Sequence, residues 1–185
     1  SFTYDNNGNL LSATDALNHT VRYTYTSYGM LASYTDQLGH QYQFEYDSHG
    51  NMTSYRNPLN QTTTFTYNSY GQIVTTTDAL NHTTSYSYDN YGNIASITDA
   101  LNNTTTCSSN PAGQLSAVSL PNGGQYTFNM DYLNRLTFYT NALNQTTRLQ
   151  YDPRGFLNKI VDPMNHVYDF KVNEQGKLSR YTSPR

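Results

Sequence analysis

Residues 46–67 read Y-D-S-H-G-N-M-T-S-Y-R-N-P-L-N-Q-T-T-T-F-T-Y, which is one full copy of a unit that recurs along the chain. Its glycine belongs to a series with a constant spacing of 21 residues. The members of the series are Gly8, Gly29, Gly50, Gly71, Gly92, Gly113, Asn134, Gly155 and Gly176. A fixed period of this size predicts a fold of stacked supersecondary units, each contacting its neighbours. We therefore interpret residues 1–185 as a single array of about nine units, and expect it to be a segment of a longer array.

A strand pattern precedes each of these glycines. In residues 20–25, T-V-R-Y-T-Y, the side chains of Val21, Tyr23 and Tyr25 alternate with polar ones. Alternation with a period of two predicts a β-strand with one apolar face. The tyrosine four residues before the glycine recurs as Tyr4, Tyr25, Tyr46, Tyr67, Tyr88 and Tyr151. We expect an antiparallel sheet whose aromatic face is buried and whose other face is solvated.

Two turns interrupt every unit, and substitutions among the copies indicate their backbone. Asn134 replaces glycine in the first turn, and Gly39 replaces asparagine in the second, which elsewhere reads D-A-L-N or close to it. Glycine and asparagine share a tolerance of positive φ, so both sites predict a left-handed backbone. An aspartate such as Asp78 opens most second turns, where its carboxylate can accept hydrogen bonds from the amides that follow. With turns this close together, we expect no helix.

Two all-β architectures fit this pattern. In a ribbon of antiparallel hairpins each unit adds two strands and advances the array by ~9.6 Å, whereas a rung of a parallel β-helix advances it by ~4.8 Å. The compact segment Tyr46 to Gly50 favours hairpins, because it can reverse the chain between adjacent strands. Apolar residues three apart, such as Leu31 and Tyr34, cannot share a face of a regular strand. The sequence leaves open whether a bulge or the turn absorbs the difference.

Composition excludes several classes of protein. The formal net charge is −3 and the charged residues are scattered, so no basic stripe is present to bind nucleic acid. No apolar run approaches 18 residues, so no membrane span is expected. An aromatic content of 14% together with abundant threonine is unlike a disordered chain. Cys107 stands where other units carry Tyr or Phe, and we expect it to be a small buried side chain.

Repeated polar residues raise the question of metal binding and catalysis. His19, His40, His82 and His166 share one repeat position, but equivalent residues of hairpin units lie ~10 Å apart, and zinc requires nitrogens at ~2.0 Å. The repeated aspartates are better explained as caps of their own turns than as calcium ligands. No Ser, His and Asp depart from the repeat as a catalytic triad must. We therefore predict no catalytic residue, no metal, no cofactor and no enzymatic activity.

Sequons for N-glycosylation are frequent in the chain. N-x-T sequences begin at Asn18, Asn51, Asn60, Asn81, Asn102, Asn103 and Asn144. In a secreted protein such a sequence on a surface loop can carry a covalent glycan. The same residues also suit the backbone of a turn and the start of a strand. Both interpretations remain open at this stage.

The units resemble the YD repeat of RHS-repeat proteins, in which Tyr-Asp is followed by two residues, glycine and then leucine. Residues 46–67 and 151–166 carry the pattern most clearly, and the resemblance spans essentially the whole chain. Departures include Asn68 in place of Asp and the sixth unit around Cys107. The resemblance implies a spiral or ribbon of hairpins forming a strip or hollow shell, as in bacterial RHS proteins, shell subunits of insecticidal toxin complexes and teneurins.

Members of that family are secreted or displayed on cell surfaces, and in toxin-bearing members the shell encloses an effector. We therefore expect a non-catalytic scaffold that forms an extracellular fibre or a shell wall. Its expected partners are further YD repeats or other copies of itself. Two alternatives are a toxin-delivery shell around an effector and an adhesion module that uses Tyr-rich faces to bind a glycan or a receptor.

Overall fold

The computed structural model describes residues 1–184, which form 18 β-strands and no helix. The strands are β1 (Phe2–Tyr4), β2 (Leu10–Thr14), β3 (Thr20–Tyr25), β4 (Leu31–Thr35), β5 (Gln41–Tyr46), β6 (Met52–Arg56), β7 (Thr62–Tyr67), β8 (Ile73–Thr77), β9 (Thr83–Tyr88), β10 (Ile94–Thr98), β11 (Thr104–Ser109), β12 (Leu115–Ser119), β13 (Gln125–Met130), β14 (Leu136–Thr140), β15 (Thr146–Tyr151), β16 (Leu157–Val161), β17 (Val167–Val172) and β18 (Leu178–Thr182). Two compact units are present. One comprises residues 1–86 and 99–101, and the other comprises residues 87–98 and those from 102 onward.

In the first unit each strand pairs antiparallel with the strand that follows it. Strand β2 pairs with β3 from Thr14 opposite Thr20, and β3 pairs with β4 through Tyr23 opposite Tyr34. The same order continues to the pairing of β8 with β9. Sequence neighbours are therefore sheet neighbours. The prediction of antiparallel hairpins is confirmed, and the parallel β-helix is not the architecture of this chain.

The second unit repeats this topology from β10 to β18. Thr140 faces Thr146 across the second turn between β14 and β15, and Gln150 faces Lys159 between β15 and β16. All the pairings are antiparallel. The unit is thus built from the same hairpins, despite the sequence departures around Cys107.

A β-bulge lies beside the first turn. Thr24 faces Ser33, but its neighbour Tyr25 faces Leu31, so Ala32 is an extra residue on β4. The same shift recurs in first-turn hairpins of both units. One extra residue allows Leu31 and Tyr34, three apart, to follow the same side of the strand. The bulge is therefore the answer to the question that the sequence left open.

The expected burial of the aromatic face is wrong. Among the described residues no hydrophobic side chain is fully buried, and Ser33 is the only buried residue. Tyr23 and Tyr34 are half-exposed, as is Cys107. The reason is that each unit is a single layer of strands that contact their neighbours in the sheet, so no second layer covers the rings.

Both faces are instead stabilised by contacts between side chains of adjacent strands. On one face the ring centroids of Tyr23 and Tyr34 lie 5.4 Å apart, within the range of favourable aromatic pairs. On the other face a hydrogen bond of 2.6 Å joins the hydroxyl groups of Thr66 and Thr75. Such cross-strand pairs contribute about 0.2–1 kcal/mol each.

Candidate functional site: the turns and the contacts between repeats

The first turn of each hairpin is closed by hydrogen bonds from backbone and side chain. The amide of Asp47 donates to the carbonyl of Asn51 at 2.9 Å, and the amide of Gly50 donates to the carbonyl of Asp47 at 3.1 Å. One carboxylate oxygen, Oδ1 of Asp47, also accepts from the amides of His49 at 2.8 Å and Asn51 at 2.9 Å. The carboxylate therefore caps two otherwise unpaired amides of a tight loop.

The second turn has the same geometry. The amide of Asp78 donates to the carbonyl of His82 at 3.0 Å, and the amide of Asn81 donates to the carbonyl of Asp78 at 3.0 Å. Oδ1 of Asp78 accepts from the amides of Leu80 at 2.8 Å and His82 at 2.9 Å. One turn motif is thus used twice in each repeat. The sequence interpretation assigned the capping aspartate to the second turn alone, although an Asp directly after the repeated Tyr was the available signal.

Both turns place one residue in the left-handed region of the backbone. In the first turn these residues are Gly8, Gly29, Gly50, Gly71, Gly92, Gly113, Asn134, Gly155 and Gly176, and in the second they are Asn18, Gly39, Asn60, Asn81, Asn102, Gly123, Asn144 and Asn165. Their φ angles range from 59° at Asn144 to 93° at Gly155. Residues with a large or branched side chain avoid this region, which accounts for the restriction to two residue types.

The turn hydrogen bonds lower the pKa of the capping aspartates. The pKa of Asp47 is lowered chiefly by the hydrogen bond from the side chain of Asn51. The pKa of Asp78 is lowered chiefly by the hydrogen bond from the backbone of His82. Negative charge is nevertheless dispensable for the fold of the turn. Asn68 accepts the same two bonds, from the amides of Tyr70 at 2.9 Å and Gln72 at 3.0 Å.

The repeated tyrosine connects one repeat with the preceding repeat. The hydroxyl of Tyr25 donates to the carbonyl of Leu10 at 3.0 Å. Equivalent bonds run from Tyr67 to Met52 at 2.7 Å and from Tyr151 to Leu136 at 2.8 Å. Each acceptor is the residue just before the bulge, where the register of the sheet shifts. The tyrosine therefore ties the irregular part of one hairpin to the next hairpin.

The other repeat tyrosines differ in exposure. Tyr46 and Tyr88 are half-exposed, like Tyr25, whereas Tyr4 is exposed. The pKa of Tyr67 is raised by burial and, secondarily, by the negative charge of Asp47. The hydroxyl of Tyr67 consequently stays protonated over a wide pH range and remains a hydrogen-bond donor.

The histidines of the second turns are paired within their own turns. Nδ1 of His82 lies 3.0 Å from Oδ2 of Asp78, and His19, His40 and His166 make the equivalent contact. Within residues 1–184, no group of three or more His, Cys, Asp or Glu side chains could hold a metal ion. The histidine position therefore supports the turn.

The sequons occupy two kinds of position. Asn18, Asn60, Asn81, Asn102 and Asn144 lie exposed at the left-handed position of second turns, and Asn103 is exposed beside one of them. Asn51 is half-buried in a first turn, and its Nδ2 donates to Oδ2 of Asp47 at 2.9 Å. Only the first group leaves the side-chain amide accessible to a modifying enzyme.

Within residues 1–184, no helix has the length and apolarity needed to cross a bilayer.

The arrangement of hairpins, turns and tyrosine contacts defines a β-repeat array of the YD type. A sequence model of the family described as Teneurin YD-shell matches residues 60–185, and a model described as RHS Repeat matches residues 4–41 and 25–62. The chain therefore belongs to the teneurin YD-shell family, and its units are RHS, or YD, repeats.

Solved structures with a similar fold include complexes of TcdB2 with TccC3 and a toxin pore. The structure of TcdB2-TccC3-Cdc42 superposes with a TM-score of 0.73 at 17% identity, over 95% of this chain and 12% of that chain. TcdB2-TccC3 gives 0.67 at 15% identity, over 99% and 14%. A Photorhabdus luminescens Tc holotoxin pore gives 0.60 at 14% identity, over 100% and 13%. At this identity the likeness concerns the fold, and the chain spans about an eighth of these proteins. No curated protein matches the sequence.

Proposed function

We propose that this chain is a non-catalytic structural scaffold of a secreted or cell-surface RHS/YD-repeat protein, and that it forms the wall of a shell or an extracellular fibre. The observation that carries the proposal is that stabilising contacts run between consecutive repeats. Strands pair with their sequence neighbours. The hydroxyl groups of Tyr25, Tyr67 and Tyr151 each donate a hydrogen bond to the preceding repeat. An array of this kind is extended by adding repeats, which is the property that a wall requires.

The terminal strands supply a means of extension. All described residues of β1 and β18 are exposed. Each pairs with one strand, β2 or β17, and the backbone amides and carbonyls of its other edge are groups that a further strand can pair with. The partners of this scaffold are accordingly further YD repeats of the same protein or other copies of the chain. The match to the family described as Teneurin YD-shell favours a shell wall over a fibre.

Electron microscopy of the purified chain, and of its full-length parent protein, tests the proposal. A closed capsule is the expected appearance of a shell, and a rod with a regular axial repeat is that of a fibre. Particles that remain single, short ribbons at all concentrations and in the parent protein would contradict a role in either assembly. Turnover of a substrate by the purified chain would contradict the absence of catalysis.

A toxin-delivery shell that encloses an effector is the second candidate. It is favoured by the fold similarity to toxin structures, which include TcdB2-TccC3-Cdc42 and a Tc holotoxin pore. Limited proteolysis of the full-length parent protein distinguishes it from an empty scaffold. An enclosed effector is protected until the wall is unfolded, whereas an effector outside the wall, or none, gives no protected fragment.

An adhesion module is favoured by a different observation. Half-exposed rings follow one another across the first unit, with centroid distances of 5.4 Å for Tyr23–Tyr34 and 5.7 Å for Tyr34–Tyr42. Rings with a polar tip are suited to stack on sugars. Binding to a glycan array supports this role if replacement of Tyr34 and Tyr42 by Ser abolishes it. The control is a variant in which Thr62 and Thr64 are replaced, because these residues lie on the opposite face of the sheet.

The exposed sequons favour a covalent glycan on the second turns. Intact mass measurement of the protein from a host that glycosylates secreted proteins is the test. A mass above 21.0 kDa that falls after removal of N-glycans is expected. Replacement of Asn18, Asn60 and Asn81 by Gln should lower the added mass, whereas replacement of Asn51 should leave it unchanged. An unmodified mass would rule the glycan out.

A further inference from the structure

Positive charge is concentrated in one part of the chain. Residues 135–185 contain eight of the ten Lys and Arg residues and four of the thirteen Asp and Glu residues. Their formal net charge is +4, whereas that of residues 1–134 is −7. The charges that the sequence interpretation treated as scattered therefore differ in sign between the two parts of the chain, and the repeats after residue 135 are basic.

Several of these cations line one groove of the second unit. The groove has a volume of about 710 Å³ and lies along β16, β17, β18 and the turn that precedes β16. This volume is in the range of sites that bind small ligands or part of a larger one. We call it the cationic groove, and its charged lining residues are Asp152, Arg154, Lys159, Asp169, Lys171 and Arg180.

Two cations of the groove have a carboxylate partner. Nη2 of Arg154 lies 3.0 Å from Oδ2 of Asp152, and Nζ of Lys159 lies 4.0 Å from Oδ1 of Asp169. Arg154 also donates through Nη1 to the carbonyl of Asn173 at 3.0 Å, which holds its side chain against the end of β17. The charge of these two cations is therefore balanced within the groove.

Lys171 and Arg180 have no such balance. Both are exposed, and no carboxylate of residues 1–184 lies within 4.0 Å of either. They face each other directly across β17 and β18. Like charges in this arrangement destabilise a sheet. The pair thus gives the groove two uncompensated positive charges at some cost in stability.

The fold does not require cations at these two positions. The same positions in four other hairpins carry hydroxyl groups joined by a hydrogen bond of 2.6 or 2.7 Å, in the pairs Thr3–Ser12, Thr24–Ser33, Thr66–Thr75 and Ser87–Ser96. A hydroxyl pair therefore fits the sheet and stabilises it. Since two opposed cations are the less stable choice, their presence indicates a role in binding an anion.

The groove also offers acceptors to a ligand. Asp169 is half-exposed, and its contact with Lys159 is a long one. Asn158 lines the same groove, and within residues 1–184 its Oδ1 is a buried side-chain oxygen without a hydrogen-bond partner. Such an oxygen costs free energy, and rotation of the amide would turn it toward a donor in the groove. The groove therefore suits a ligand that carries hydroxyl groups as well as negative charge.

An acidic polysaccharide combines these groups. Its sulfate or carboxylate groups suit Lys171 and Arg180, because ammonium and guanidinium groups form charge-assisted hydrogen bonds with oxyanions. Its ring hydroxyl groups suit Asp169 and Asn158, which accept hydrogen bonds. We propose that the cationic groove binds an acidic polysaccharide, with an oxyanion between Lys171 and Arg180 and hydroxyl groups on Asp169 and Asn158.

Nucleic acid matches the groove less well. Its backbone presents one phosphate after another, and its affinity depends on how many of them are neutralised. The groove offers two uncompensated cations, and the carboxylates of Asp152 and Asp169 repel further phosphates. DNA also lacks hydroxyl groups along its backbone that could donate to Asn158.

This site goes beyond the proposed scaffold function and does not depend on it. It also differs from the aromatic rings that favour an adhesion module. Those rings belong to the first unit, whereas the cationic groove lies in the second unit and selects a charged ligand.

Isothermal titration calorimetry with defined ligands tests the proposal. The probes are a heparin hexasaccharide with sulfate and carboxylate groups, an oligogalacturonate with carboxylates alone, a neutral dextran oligosaccharide, and single-stranded hexanucleotides of DNA and RNA. The groove variant carries K171T and R180T, which recreate the hydroxyl pair found at Thr66 and Thr75. The control carries R22T and R56T, which remove two exposed cations from β3 and β6 in the first unit.

The wild type and the control should bind at least one acidic oligosaccharide, and the groove variant should bind it at least about tenfold more weakly. The affinity should fall as the NaCl concentration rises. In urea the groove variant should be no less stable than the wild type, so that its loss of binding is not a loss of fold. A second variant with K171Q and R180Q, which keeps long side chains, should show the same loss of binding.

Four outcomes would overturn the proposal. They are a wild type that binds neither acidic oligosaccharide, binding of dextran with equal affinity, an equal loss of binding in the control, and tighter binding of a hexanucleotide than of the oligosaccharides.

Discussion

The hydroxyl of Tyr67 donates a hydrogen bond of 2.7 Å to the carbonyl of Met52, fifteen residues earlier in the chain. The acceptor belongs to the preceding hairpin and lies next to its bulge. This relationship gives the hydroxyl of the tyrosine a role, and Tyr25 and Tyr151 make the same bond in their own repeats. The side chain is half-buried, and its hydroxyl joins two repeats.

Loss of this hydroxyl should weaken the contact between two repeats. We expect Tyr67→Phe to lower the free energy of unfolding by about 0.5–1.5 kcal/mol, the net contribution of one intramolecular hydrogen bond. Urea unfolding followed by circular dichroism measures the change. Tyr70→Phe is the matched control, since Tyr70 is 86% exposed, and it should change stability little. Equal effects of the two substitutions would contradict the role of the Tyr67 hydroxyl.

The left-handed position of the second turn should accept only certain residues. Gly39 has a φ of 86°, and asparagine occupies the equivalent place in Asn60 and Asn81, with φ of 62° and 63°. We expect Gly39→Asn to be nearly neutral and Gly39→Val to lower stability by at least ~1–2 kcal/mol, because a β-branched side chain is strained there. Thermal unfolding of both variants shows which of them is the less stable. A valine variant as stable as the asparagine variant would be inconsistent with this backbone requirement.

The capping of the second turn should require a side-chain acceptor but not a charge. Removing the acceptor by Asp78→Ala leaves the amides of Leu80 and His82 without their partner and should cost about 1 kcal/mol. Asp78→Asn should lower stability much less, because Asn57 accepts equivalent bonds at 3.0 Å in the preceding repeat. The difference between the two urea midpoints is the measurement. Similar losses would indicate that the negative charge matters more than the hydrogen bonds.

Stability should fall on acidification. The pKa values of Asp5, Asp15, Asp47 and Asp78 are lowered by turn hydrogen bonds from an ordinary value of 3.8. The unfolded chain then binds more protons than the folded chain in the acid range. The contribution is complete above about pH 3.8 and is lost as the pH falls through the lower folded values.

Unfolding midpoints measured from neutral to acid pH give this dependence. A variant with D15N, D36N and D78N should have a flatter acid limb, since three of the titrating groups are gone while their turns keep an acceptor. An unchanged acid limb in this variant would place the sensitivity elsewhere.

Much of the fold could be predicted because the repeat displays it many times. The alternation in residues 20–25 and the compact turn at Gly50 predict hairpins, and β3 and β4 pair as such. The bulge at Ala32 could not be predicted, because a three-residue spacing also fits a longer turn. The partner of the Tyr67 hydroxyl was equally hidden, since a carbonyl acceptor has no residue identity. Burial of Tyr23 was predicted wrongly, because alternation shows which residues share a face but not whether anything covers it.

Within residues 1–184 no hydrophobic side chain is fully buried, so the molecule has no centre whose loss would unfold it all at once. When such an array is pulled from its two ends, resistance comes from one hairpin at a time. Extension should therefore proceed as a series of small, similar steps in optical tweezers, and each released hairpin should close again when the load is removed. An array made in this way yields locally and recovers, whereas a globular domain of the same length would unfold as a whole.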